Sequence, residues 1–157
     1  MISINRRALL KGTIAVSAIA AAAGAGLIRP TRALAADWPR KAFAAETVTD
    51  TLTALFGPSN STPSNAIKVK APRRVPTGAR ILVSVSTSLP NVDSIAIVID
   101  KNPLPFAGRV SLSGAEPFVS ADIRMRETSE VQCFVRSDGR LYVKKQLVKV
   151  TVDGFGG

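Results

Sequence analysis

The 157-residue chain contains no histidine. Imidazole is the general base of Ser-His-Asp and Cys-His sites, the ligand of HExxH zinc centres and the axial ligand of many haem and copper sites, so these chemistries lose their central group. The chain has one cysteine, Cys133, which rules out an internal disulfide and leaves stability to burial. Aromatic residues are 5% of the chain, and no dense Lys/Arg tract is interleaved with them, so nucleic acid is not an expected partner. There is no phosphate-binding glycine loop and no metal-ligand spacing. An enzyme is not expected, nor a cofactor, nor a metal.

What is present begins with the N-terminus. Arg6 and Arg7, then Ala8, two leucines and Lys11, precede an apolar run from Thr13 to Ile28 and a small-residue exit at Ala33-Leu34-Ala35. A charged head, an apolar middle and such an exit make an export signal. The paired arginines fit the twin-arginine type, in which a receptor reads the two guanidinium groups as an address. The competing reading is an uncleaved anchor, but the apolar run is 16 residues long, where a spanning helix needs about 20. Residues 1–35 are expected to be cleaved, leaving the remainder outside the cytoplasmic membrane, in the periplasm, with no membrane attachment. Five of the 21 Lys+Arg lie in that segment and none of the 11 Asp+Glu does, so the mature charge falls from +10 to +5. About 122 residues then suffice for one core and one domain.

Residues 37–45 read as a short lead. Val48, Leu52, Leu55 and Phe56 lie at helical spacing within 46–56, and Gly57-Pro58 closes the element. Residues 58–65 are a polar turn-rich loop. From Ala66 the period becomes two: Ile67 and Val69 alternate with lysines, and Ile81, Val83 and Val85 alternate with Leu82, Ser84 and Ser86. Further strands are expected at 92–100, 109–113, 118–126, 130–136, 140–145 and 147–152. Ser137-Asp138-Gly139-Arg140 is a hairpin signal that sets 130–136 beside 140–145. About eight short strands with no helices between them point to an all-β fold, an immunoglobulin-like antiparallel β-sandwich preceded by one short helix, over residues 36–152.

Within strand 130–136, Val131, Cys133 and Val135 share one face, and Gln132, Phe134 and Arg136 share the other. The thiol is therefore expected on the core side, as a small buried hydrophobe, since a reactive thiol needs exposure and a positive neighbour. Residues 153–157, Asp153-Gly154-Phe155-Gly156-Gly157, are too glycine-rich for helix or strand. They read either as a flexible arm with a reach of roughly 15 Å or as a fraying terminus.

The order of these pieces resembles the SoxY family, the sulfur-carrying subunits of periplasmic SoxYZ complexes in thiosulfate oxidation. The resemblance covers nearly the whole chain. It rests on the twin-arginine signal, Leu55-Phe56-Gly57, Lys101-Asn102-Pro103-Leu104-Pro105, Ala115 to Ser120 followed by Ile123-Arg124-Met125, the 137–139 turn and Val148 to Val152. It implies a SoxZ-like partner in a heterodimer and, beyond it, other periplasmic sulfur-oxidation enzymes. The family ends in Gly-Gly-Cys-Gly-Gly, whose cysteine holds the sulfur substrate covalently. Here Phe155 stands at the cysteine's place and Asp153 at the first glycine's, while Gly154, Gly156 and Gly157 remain. A benzyl side chain has no nucleophile, so covalent carriage at this position is excluded. Two readings of the tip stand: an aromatic on a glycine tether that docks in a partner's apolar pocket, or a remnant of a duplicated gene. Cys133 is the alternative thiol, poorly placed in mid-strand to enter a partner's active site. Four functional readings follow: a SoxY-like modulatory or scaffold subunit, a SoxYZ-like component serving a quinoprotein dehydrogenase, a true sulfur carrier that uses Cys133, or a general immunoglobulin-like interaction module.

Overall fold

The computed structural model describes residues 38–151. The export signal with Arg6 and Arg7, and the arm Gly154, Phe155, Gly156 and Gly157, lie outside the described residues.

Among the described residues two helices come first. α1 (Arg40–Ala44) is followed by α2 (Val48–Phe56), where the reading from spacing gave a single helix over 46–56. Five residues are too few for a 3.6-residue period to register, which is why α1 escaped it. Its formation is tertiary: Ala42 is buried, and the Phe43 ring meets Phe106 edge-on at 4.5 Å between centroids. α2 starts on Thr47, whose Oγ1 accepts the Asp50 N–H at 3.0 Å, and ends on Gly57 at φ 76°. A left-handed C-terminal residue is a position that glycine takes without steric cost.

Nine strands of the described residues then make two sheets. β1 (Ser61–Pro63), β9 (Arg140–Thr151), β8 (Ser129–Ser137), β5 (Val92–Ile99) and β6 (Phe106–Ser111) form the larger sheet in that order, with β3 (Arg74–Pro76) also on β9. β2 (Ile67–Lys70), β4 (Arg80–Thr87) and β7 (Phe118–Arg124) form the smaller sheet. The 137–140 hairpin is as expected: Asp138 and Gly139 both have positive φ, 49° and 73°, the pattern of a two-residue turn matched to strand twist. It pairs Ser137 with Arg140 and Cys133 with Lys144.

Three expectations are corrected here. The loop expected over 58–65 contains β1, and β3 forms at 74–76, where the sequence pattern predicts no strand. Both pair in parallel with β9, so the sheet is not wholly antiparallel. Each is three residues long and ends in proline, too short to carry a period, and is placed by tertiary contact: both pair with β9, and Val75 of β3 is also buried in the core. The expected strands 140–145 and 147–152 are one, because Gln146 continues the ladder and its Nε2 donates to Ala71 O at 2.8 Å.

The core has two parts. Ile67, Ile81, Val83, Val85 and Ile123 of the smaller sheet meet Ile95, Ile97, Val131, Cys133 and Val135 of the larger one. On the other face of the larger sheet, Ala96, Val98, Phe134, Leu141 and Val143 pack under Ala42, Val48, Leu52 and Leu55 of the helices. Arg109 of β6 ties this second layer down: its Nη1 donates to Leu55 O at 3.1 Å, and its guanidinium lies 5.1 Å from the Phe56 ring centroid. It thereby satisfies a carbonyl left open at the end of α2.

Candidate functional site

The one thiol sits where the side-chain alternation put it. Cys133 is in the middle of β8, between Ile97 of β5 and Lys144 of β9 in register, and has no solvent exposure. Its face carries Val131 and Val135, both fully buried. Burial in this apolar layer pushes the thiol from its usual 9.0 up to about 12, because ionisation would place an uncompensated thiolate in the core. Thiolate is the nucleophilic form, so burial and the raised pKa both act against reaction of this group in the folded chain at neutral pH.

The C-terminal end of β9 is remote from that thiol. β9 carries the chain toward residue 153, and its last described residue, Thr151, is held: Thr77 N–H and Thr77 Oγ1 donate to Thr151 O at 3.1 and 3.3 Å. Cys133 pairs with Lys144, seven residues before Thr151. At about 3.3 Å per residue, the thiol lies roughly 23 Å from Thr151. Among the described residues no group of three or more His, Cys, Asp or Glu side chains gathers at metal-binding distance, and no helix is long and apolar enough to cross a membrane.

A second feature was not read from the sequence. The topology draws Arg73 and Arg74 from the chain before and in β3 together with Lys144, Lys145 and Lys149 of β9, around an open cleft of about 520 Å³. The sequence signal for it exists: no acid occurs between Asp50 and Asp93, or between Asp138 and Asp153. Two half-clusters 70 residues apart in sequence do not announce that they meet.

The fold and the entombed thiol define a class: an immunoglobulin-like sandwich, backed on one side by short helices, that holds no reactive group in its described core. Residues 52–154 match the family described as sulfur oxidation protein SoxY, more than half of the chain, and the chain belongs to that family. The solved structure of the sulfur carrier protein SoxY from Chlorobium limicola f thiosulfatophilum is 34% identical, with a TM-score of 0.63, over 68% of this chain and 97% of that one. A superoxide reductase (neelaredoxin) from Ignicoccus hospitalis is 20% identical over 55% of this chain and 81% of its own, with a TM-score of 0.49, too remote to bear on function. No curated protein matches the chain. Family membership places the chain among carrier proteins rather than enzymes.

Proposed function

We propose that the chain is a SoxY-like subunit that pairs with a SoxZ-like partner in the periplasm and acts in sulfur-compound oxidation without carrying sulfur covalently. The observation that carries the non-covalent part is the state of the single thiol: Cys133 is fully buried and its pKa is pushed up to about 12. With Phe155 at the family's carrier position, no accessible sulfur nucleophile is left in the chain. The signal motif at Arg6 and Arg7 supports export already folded, which suits delivery of a preassembled pair in which the partner needs no signal of its own. In such a pair the subunit serves by contact, as a scaffold or modulator, with Phe155 as an apolar tip that seats in a partner's pocket.

The test restores what is missing. Phe155→Cys, in the full chain with its partner, is expected to gain a mass adduct from polysulfide at the new thiol while Cys133 stays unmodified. A correctly folded Phe155→Cys protein whose thiol reacts with iodoacetamide but never acquires sulfur would refute a carrier-like context. Failure to co-purify with any SoxZ-like chain would refute the pairing.

A further inference from the structure

We propose that the cleft on the outer edge of β9 is a docking site for an acidic segment of a partner protein. Ser137 and Arg140 close the two-residue turn at 138–139, so in the antiparallel ladder it is the even-numbered residues of β9 that exchange backbone hydrogen bonds with β8. Odd-numbered ones therefore present their N–H and C=O to the opposite edge. At that edge Val143 O accepts from Ser64 N at 3.0 Å, and Lys149 N donates to Arg73 O at 2.9 Å. Between them β1 has ended and β3 has not begun, so the register leaves Lys145 and Leu147 facing a gap in the sheet edge. The cleft opens there.

Its charge is one-sided. Arg73, Arg74, Lys145 and Lys149 are exposed around it, and Lys144 is half-buried with its Nζ donating to Asn65 Oδ1 at 2.8 Å. Among the described residues the one acid paired with a cation of the cleft is Glu130, 3.5 Å from Lys145 Nζ, a half-exposed pair that contributes little. Among the described residues no carboxylate pairs with Arg73, Arg74, Lys144 or Lys149. Arg74 and Lys149 are partners in register on adjacent strands, and like charges so placed work against the fold. An arrangement that costs stability and gathers cations beside free backbone donors fits an anionic ligand.

The size and continuity of the cleft select a protein segment over a small oxyanion. Its volume is in the range of sites that enclose whole ligands. It shares Lys144 and Lys145 with a neighbouring cavity of about 270 Å³ bordered by Pro63 and Asn65, so the cationic strip extends beyond what one small anion touches. Leu147, 50% exposed at its floor, adds an apolar contact that suits a side chain. No aromatic lines it, so it lacks the stacking platform expected for single-stranded nucleic acid. A second copy of this chain is the wrong occupant, since it carries the same positive surplus. This inference is independent of the sulfur-oxidation reading.

The isotope-labelled full chain is titrated with a peptide of alternating Glu and Val and, in parallel, with its Gln-Val counterpart. Amide shifts are expected to concentrate at Lys145 and Leu147, with affinity falling roughly tenfold in Arg74→Gln/Lys149→Gln and falling with added salt. That double variant is expected to melt no lower than the parent, which separates lost recognition from lost folding. Should it melt lower, Lys145→Gln is the replacement, with a several-fold loss expected. No binding, equal binding of the Gln-Val peptide, or saturation of the same amides by inorganic sulfate or oligothymidylate at equal charge would each overturn the proposal.

Discussion

The two sheets of the sandwich bury different numbers of faces. The larger sheet lies between two apolar layers: Ile95 and Ile97 of β5 point to the smaller sheet, while Ala96 and Val98 point to the helices, and all four are buried. The smaller sheet is covered on one face only. On β4, Ile81, Val83 and Val85 are buried, whereas Leu82 is 59% exposed and Ser84 Oγ hydrogen-bonds across to Ser120 Oγ at 3.0 Å. A thiol at the centre of the first sheet, where Cys133 sits between β5 and β9, has no route to solvent on either side. The location of Cys133 in the doubly covered sheet is thus the structural reason that it is a packing residue.

The contrast can be broken by substitutions of unequal cost. Phe134→Ala, which empties the space under α1 and α2, is expected to destabilise the domain by about 3–5 kcal/mol in a denaturant melt. Cys133→Ser places a hydroxyl without a partner in the same sheet, and a loss of about 1–3 kcal/mol is expected. Alkaline titration sharpens the same point. The folded thiol titrates near 12 and the unfolded one near 9, so the folded state binds more protons between them. Stability is fully present below about pH 9 and is expected to decline from there toward pH 12, a decline that Cys133→Ala removes. Leu82→Ser, on the open face of the smaller sheet, is expected to change stability by no more than about 0.5 kcal/mol. An effect at Leu82 as large as that at Phe134 would mean that the face is covered in solution.

The same contrast explains what the sequence disclosed. β4 alternates because it has one dry face, and its pattern Ile81-Leu82-Val83-Ser84-Val85-Ser86 was legible at once. β5 reads Ile95-Ala96-Ile97-Val98-Ile99 without alternation, the mark of a strand buried on both sides, and it was located but not assigned two covered faces. Phe134 was accordingly put on an outer face, although α1 and α2 bury it. The missed helix α1 and the three-residue strands β1 and β3 have no internal period and exist through their contacts. The inward direction of Cys133 followed from alternation alone, since Val131 and Val135 flank it at the period of a strand. The basic cleft was hidden because its halves, 73–74 and 144–149, are joined only by the parallel pairing of β3 with β9.

The most direct measurement is intact-mass spectrometry of the folded chain after exposure to polysulfide, repeated after unfolding. An unmodified mass is expected for the folded chain, with a sulfur adduct on Cys133 only once it is unfolded. A persulfide on Cys133 in the folded protein would contradict the assignment of the thiol to the core, and with it the non-covalent role.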